Sequence, residues 1–270
     1  MKANKILFIA QEIVPFTESS VMANNCRALL QATQEKGFEI RTFMPKWGSI
    51  NERRNQLHEV IRLTGMNIIV DDTDHPLIIK VASMPSLRTQ VFFILNDDYF
   101  KNHLNTRDDK GNEYPDNDER TIFFARSILE TVKKQSWYPD TIHCHGWIGA
   151  LVGLYIKTFY KEEPAFRNTK FVYSLYDDKF TATFPENYLK KVVIKNMEEV
   201  DFSEFTNPIG YNELSKLAMK WSDGIIVNSD NVDPTLLDYA RSLNKPMLEY
   251  KTETEYTNSC CDFYNQLHEQ

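Results

Sequence analysis

The sequence predicts an α/β protein with a doubly wound, mostly parallel, Rossmann-like sheet that carries an inserted β-rich segment. Short unbroken apolar runs, typical of strands buried on both faces, alternate with segments of helical apolar spacing. Between residues 57 and 95 this alternation gives way to successive β-type runs. The chain has 270 residues, 42% of them hydrophobic, which is enough for one large core. We predict a domain over residues 1–243 and a C-terminal tail over 244–270.

The first strand–helix–strand unit is clear. Ile6–Ala10 is an unbroken apolar run and predicts a buried strand. Met22–Lys36 has its apolar residues on one side at helical spacing, and Gly37 follows as the expected residue after the helix end. Phe38–Met44 predicts the next strand, which Pro45 ends. The order is that of a βαβ unit.

A different pattern follows this unit. Four short β-type runs with little helical signal between them are His58–Leu63, Met66–Asp71, Leu77–Ala82 and Val91–Leu95. We expect antiparallel or mixed strands inserted at the edge of the sheet. The polar stretch Asn96–Asn117 predicts a long surface loop, and a loop of that length is usually functional or disordered.

The alternation then resumes. Asp118–Lys134 predicts an amphipathic helix. The remaining predicted elements are strands at Asp140–Cys144, Lys170–Leu175 and Gly224–Val227 and helices at Trp147–Tyr160, Asn212–Trp221 and Pro234–Leu243. Their repeated order favours a mostly parallel sheet. The tail Tyr250–Gln270 is polar and predicts either a loose helix or a docked extension.

Composition excludes several classes of protein. The net charge is -7, which argues against nucleic acid or an anionic membrane as the main partner. The four cysteines form no CxxC pair of the kind that binds zinc. The N-terminal apolar run is too short for a secretory signal, and no stretch is long enough for a membrane span. We therefore expect a cytoplasmic protein without a metal ion or cofactor.

Ligands of open α/β sheets bind outside the carboxyl ends of the strands. The loops that follow the predicted strands cover residues 11–20, 143–147, 176–179 and 228–231. The candidate substrate-binding residues in these loops are Glu12, Glu18, Ser19, Ser20, Trp147, Tyr176 and Asp177. The acidic pairs such as Asp177-Asp178 have no partner at calcium-loop spacing, so we interpret them as solvated loop carboxylates.

Four segments resemble one family. The opening KILFIAQEIVPF resembles the start of bacterial glycogen and starch synthases, retaining glucosyltransferases of the GT-B fold. The segments GNEYPDNDERTIFFAR, WYPDTIHCHGWIGALVGLYIKT and WSDGIIVNS resemble three further motifs of that family, in the same order. The resemblance covers the N-terminal, acceptor-side domain only. It implies a single GT-B N-terminal-type domain, and it implies that the second domain of the family is absent from this chain.

The resemblance also implies functional residues. Asp116 stands at the family's active-site aspartate, and His145 stands at its active-site histidine, so these two are the candidate catalytic residues. Glu12 occupies the glutamate before Pro-Phe. The implied activity is α-1,4-glucan synthesis, with a glucan and either ADP-glucose or UDP-glucose as ligands. Such a mechanism positions an oxocarbenium-like sugar and neutralises the departing nucleoside diphosphate.

Departures from the family's motifs concentrate at the diphosphate. The family's Lys-Thr-Gly-Gly-Leu loop aligns with residues 18–22, so Glu18 replaces a cation. Two like charges 4 Å apart repel by roughly 4 kcal/mol at an effective dielectric of 20. Ser20 and Val21 replace both glycines and add side chains where the family's backbone approaches phosphate. We therefore expect that the chain cannot transfer glucose unaided.

Other interpretations remain open for these residues. His145 is also explained as a satisfied histidine at a strand end, and Asp116 as the N-cap of the following helix. Ser19 and Ser20 are equally suited to capping a helix, and Trp147 to packing. The alternative function is a non-catalytic glucan-binding, regulatory or scaffold protein. A face that meets the second domain in the family would then be exposed, which favours a homo-oligomer or a second-domain partner.

Overall fold

The computed structural model describes residues 4–252 and 255–269 in full, together with the backbone of residues 253 and 254. The strands are β1 Lys5–Ala10, β2 Glu39–Pro45, β3 His58–Glu59, β4 Met66–Val70, β5 Thr73–Ser83, β6 Gln90–Leu95, β7 Thr141–His145, β8 Lys170–Leu175, β9 Gly224–Val227 and β10 Met247–Leu248. The helices are α1 Val21–Glu35, α2 Asn117–Gln135, α3 Val152–Lys157, α4 Tyr188–Val192, α5 Tyr211–Lys220, α6 Pro234–Ser242 and α7 Glu253–Glu269. None of these described helices is long and apolar enough to cross a membrane.

The described strands form one sheet in the order β10-β9-β8-β7-β1-β2-β6-β5-β3, and β4 pairs with β5 outside this order. Every neighbouring pair from β10 to β6 is parallel. Strand β5 runs antiparallel to β6, β3 and β4. The predicted doubly wound, mostly parallel sheet is therefore confirmed, and so are the mixed strands at its edge.

The first βαβ unit forms as predicted. The Ser20 hydroxyl accepts a hydrogen bond from the Ala23 N–H at 3.0 Å, which caps α1. Gly37 follows the helix end with a φ of +86°, the left-handed conformation that glycine adopts without strain. In β1 and β7 the pairing sets Phe8 opposite His143. This register brings the loops after both strands to the same edge of the sheet.

Two predicted segments differ from the structure. The first part of Asn96–Asn117 is a short π-helical turn at Asp97–Lys101, not a surface loop. The Asn96 side chain accepts hydrogen bonds from two N–H groups of this turn, and its Phe100 is fully buried. The predicted helix Trp147–Tyr160 is divided, because its first turn is closed by a tighter hydrogen bond from the Ala150 N–H to the Trp147 carbonyl.

The C-terminal segment docks on the rest of the fold. Strand β10 pairs with β9, and α7 packs against α1. The buried side chains of α7 are Tyr256, Cys260, Cys261, Phe263, Tyr264 and Leu267. A Cβ on Gly224 of β9 would lie 2.9 Å from the Phe263 ring, so glycine there permits the close approach of the helix. Of the two predicted alternatives, the described residues form the docked one; the boundary at residue 243 stays a prediction.

Candidate active site

A cleft of about 410 Å3 opens at the carboxyl ends of β1, β8 and β9. Its wall includes Glu12, Ser20, Tyr176, Asp177, Asp178 and Asn228, and it contains no lysine or arginine. The loops after three parallel strands thus meet at one edge, as expected for an open α/β sheet. The wall is rich in hydrogen-bond acceptors and carries negative charge.

Glu12 and Ser20 form one side of the cleft. The Ser20 hydroxyl donates a hydrogen bond to Glu12 Oε2 at 2.5 Å while it accepts from the first turn of α1. The Glu12 carboxylate therefore lies at the N-terminal end of α1, where the helix dipole stabilises negative charge. The first exposed side chain of that helix is Val21, with 64% of its surface accessible.

Asp178 forms the floor between the loops. Tyr211 Oη donates to its Oδ1 at 2.6 Å, and the Trp147 N–H donates to its Oδ2 at 3.4 Å. Burial raises the pKa of Asp178 to about 6 against the lowering effect of the Tyr211 hydrogen bond. The sequence pattern does not distinguish this residue from its exposed neighbour Asp177, because the Tyr211 contact comes from a distant helix.

A second cavity of about 320 Å3 adjoins the cleft and shares Glu12 and both aspartates of the β8 loop with it. Trp147 also lines this cavity, and so does Arg107. The Arg107 guanidinium donates to Glu113 Oε1 at 3.1 Å, so its charge is already paired. Glu113 also accepts two backbone hydrogen bonds from the segment after β8. The loop before α2 is thereby attached to the rim of the site.

The two histidines of β7 lie beneath the cleft in a buried hydrogen-bond network. His145 Nδ1 is 2.9 Å from Tyr176 Oη, and burial lowers its pKa to about 3. His143 lies between Tyr264 Oη and Ser174 Oγ, each at 2.6 Å. Burial, with a smaller contribution from His145, holds the pKa of His143 well below its usual value. Both imidazoles are therefore neutral in the folded protein.

Asp116 lies in a different environment. It stands at the N-cap position of α2 without a side-chain capping bond, and its Oδ2 is 3.3 Å from His103 Nε2. One turn later, the buried Arg120 guanidinium lies over the rings of Trp47 and Phe100. Burial lowers the pKa of Arg120 to about 10, and the Asp116 charge opposes that shift. The Asp116 side chain therefore does not form the hydrogen bond to the first turn of α2 that the capping interpretation requires.

The structure brings together most, but not all, of the predicted site residues. Those in the walls of the two cavities are Glu12, Ser20, Trp147, Tyr176 and Asp177. Glu18 and Ser19 are exposed and line neither cavity. His145 is fully buried, and neither it nor Asp116 lines these cavities, so their catalytic roles stay predictions. Within residues 4–269 no group of three His, Cys, Asp or Glu side chains is placed to hold a metal ion.

The fold and the position of this site define an α/β domain of the GT-B glycosyltransferase type. Over residues 5–247 the sequence matches the family described as starch synthase catalytic domain, and the chain belongs to that family. It is 36% identical over 190 residues to the glycogen synthase of Chlorobium luteolum, covering 70% of this chain and 39% of the relative. It is 34% identical over 235 residues to that of Chlorobaculum tepidum, covering 87% and 47%.

A solved structure agrees with this assignment. The catalytic domain of starch synthase IV from Arabidopsis thaliana, bound to ADP and acarbose, superposes with a TM-score of 0.71 at 17% identity. The match covers 93% of this chain and 51% of that one, and it shows a common fold. The chain thus spans two fifths to one half of the length of these relatives, and the predicted resemblance to glycogen and starch synthases is confirmed.

Proposed function

We propose that this chain is the glucan-binding half of a glycogen/starch synthase-like glucosyltransferase, and that its 270 residues do not transfer glucose from a nucleotide-glucose unaided. One observation carries this proposal: the cleft wall presents Glu12, Asp177, Asp178 and Asp230 without a lysine or arginine. A departing nucleoside diphosphate is stabilised by cations or by free N–H groups at a helix N-terminus. This cleft supplies carboxylates instead.

A neutral polyhydroxyl ligand suits the same wall. Sugar hydroxyls donate hydrogen bonds, and carboxylate and amide oxygens accept them. Tyr250, with 45% of its surface exposed, offers an aromatic ring at the rim of the cleft, and such rings pack against apolar faces of ligands. The solved relative that holds ADP and acarbose supports a nucleotide and a saccharide as the ligands of this fold.

Glucose transfer at this edge requires cations from outside the described cleft wall. Arg107 and Lys179 of the adjoining cavity are already paired with Glu113 and Asp233. We therefore propose that a further domain or a second subunit supplies the cations and covers the cleft. The exposed Val21 and Tyr250 side chains lie on its rim and would be buried by that partner. Light scattering of the 270-residue chain, with and without the glucan, distinguishes these alternatives. A mass that is a multiple of the chain's own mass favours a homo-oligomer, and the mass of one chain favours a second-domain partner.

We place this function in the cytoplasm. The four cysteines are free and buried, and burial raises the pKa of the Cys26 and Cys144 thiols. Such thiols stay protonated and react slowly. A fold that contains cysteines but no disulfide is typical of a reducing compartment.

Calorimetric titration with maltoheptaose tests glucan binding. We expect saturable binding that Tyr250→Ala weakens by about tenfold, which corresponds to ~1.4 kcal/mol. Tyr138→Ala is the matched control, because Tyr138 is similarly exposed at 49% and lines neither cavity. Absence of binding to any maltooligosaccharide contradicts the glucan-binding role and leaves the scaffold alternative.

A transferase assay tests the second part of the proposal. The 270-residue chain is incubated at high concentration with radiolabelled ADP-glucose or UDP-glucose and a glucan primer. We expect no incorporation above the background without protein. Chain extension that depends on the protein contradicts the claim that the described cleft needs added cations.

A further inference from the structure

A cavity of about 460 Å3 opens beside the amino ends of β2 and β6, at the opposite edge of the sheet from the cleft. Three arginines line it, Arg41, Arg62 and Arg88, and its wall contains no carboxylate. The chain as a whole has 38 acidic and 31 basic residues. Three guanidinium groups around one carboxylate-free cavity are therefore a local excess of positive charge in an acidic protein.

Two of these guanidinium groups have no ion-pair partner within the described part of the chain. Neither Arg62 nor Arg88 forms an ion pair with any described residue, and both side chains are exposed. Burial lowers the pKa of Arg41, Glu39 opposes this, and the charge of Arg62 lowers it further. Arg41 and Arg62 thus repel one another, and an anion between them would relieve that repulsion.

Arg41 is also held in place. Its guanidinium donates to Gln135 Oε1 and lies 4.7 Å from the centre of the Trp137 ring. A fixed guanidinium loses little side-chain entropy when it binds a ligand. The cavity therefore has one positioned arginine and two exposed ones that can close on a ligand.

The rest of the wall suits an organic group. Ile40, Leu87 and Phe92 provide apolar surface, and Ser83 and Gln90 provide polar hydrogen-bonding groups. The volume falls in the usual range for sites that bind small molecules. Chloride or another simple anion would leave the apolar part of this wall without a contact.

We propose that this cavity binds a compact phosphorylated metabolite, with its phosphoryl group between Arg41, Arg62 and Arg88 and its organic part against Phe92. Guanidinium groups match phosphate geometry with two parallel hydrogen bonds, which makes arginine the preferred residue for such ligands. The site is separate from the acidic cleft and does not depend on the function proposed for it.

Isothermal titration of the full chain with inorganic phosphate, pyrophosphate and glucose 1-phosphate tests this assignment. We expect one site per chain, weaker binding at high salt, and tighter binding of glucose 1-phosphate than of inorganic phosphate. The double variant Arg62→Gln/Arg88→Gln should weaken binding by about tenfold or more, since it removes two of the three charged hydrogen-bond donors of the cavity. Unmodified glucose should not compete with glucose 1-phosphate.

The matched control is Arg53→Gln/Arg54→Gln, which removes the same charge from two exposed arginines outside the cavity. We expect it to change the affinity by less than about twofold. If both double variants weaken binding equally, the loss of affinity comes from the change in net charge. That result would overturn the proposed site. Equal affinity for phosphate and glucose 1-phosphate would overturn the assignment of an organic phosphate. Absence of any binding at millimolar concentration would overturn the proposal altogether.

Discussion

Mild acid should destabilise this protein through the two buried histidines of β7. The pKa values of His143 and His145 are lowered in the folded state by burial, whereas an unfolded histidine has a pKa of about 6.5. Below that value the unfolded chain binds more protons than the folded one. The free energy of unfolding therefore falls as the pH falls from 7 towards the folded pKa of about 3 at His145.

The size of the effect follows from proton linkage. A histidine that stays neutral when folded and has an unfolded pKa of about 6.5 loses ~1.9 kcal/mol of stabilisation between pH 7 and pH 5. His143 and His145 together then lose ~4 kcal/mol. Asp178 acts in the opposite direction, since its pKa is raised to about 6, and its protonation returns ~1 kcal/mol. The net loss from these three groups is ~2–3 kcal/mol, a large part of the usual stability of a domain.

Urea unfolding at pH 7 and pH 5 measures this loss. Between pH 7 and pH 5 the free energy of unfolding should fall by ~2 kcal/mol less in His145→Gln than in the unmodified protein. This holds even if the variant is less stable at both pH values. His58→Gln is the control, because His58 is exposed on β3. If the free energy of unfolding of His145→Gln falls between pH 7 and pH 5 by as much as that of the unmodified protein, the reasoning is refuted. NMR titration gives a second check: a His145 imidazole resonance that titrates between pH 7 and pH 5 contradicts it as well.

Three further substitutions test the packing around the site by urea unfolding. Gly146→Ala should cost ~2–3 kcal/mol, because Gly146 has a φ of +92° and its added Cβ would lie 2.7 Å from Gln11 Cβ; unaltered stability contradicts the close approach. Tyr264→Phe should cost ~1–3 kcal/mol by leaving His143 Nδ1 without its partner, and faster amide exchange in α7 should accompany it. Ser20→Ala should cost ~1 kcal/mol through loss of the α1 cap, whereas Ser20→Thr should retain most of the stability.

The sheet was predictable because its strands have a strong local signal. Gly224–Val227 is predicted and observed with the same bounds, since this strand is buried on both faces and has no polar side chain. The docking of α7 was predicted only as one of two alternatives. Its buried Tyr256, Cys260, Phe263 and Tyr264 recur at helical spacing, so the signal was present. The intervening polar residues hid it, because they leave the segment with a low average hydrophobicity.

The candidate site was predictable only in outline. Glu12 and Asp177 follow the parallel strands β1 and β8, which lie on either side of β7, so their position at the same end of the sheet follows from the parallel topology. Burial raises the pKa of Asp178, and the opposing hydrogen bond comes from Tyr211, which lies on a helix 33 positions away in the sequence. Asp116, which lines neither cavity, contacts His103 of the preceding loop. Contacts between distant segments leave no periodic trace in one sequence.

The α1 N-terminus explains why the sequence departure at residues 18–22 changes the chemistry of the cleft. A helix N-terminus attracts anions through its free N–H groups and its dipole. Here Ser20 accepts from one of those N–H groups and donates to Glu12, so the Glu12 carboxylate lies beside this helix N-terminus. A diphosphate at the N-terminus would be repelled by that carboxylate, whereas an uncharged sugar can donate hydrogen bonds to it. On this ground we expect this end of the sheet to bind a neutral glucan in preference to a nucleotide, as the proposed function requires.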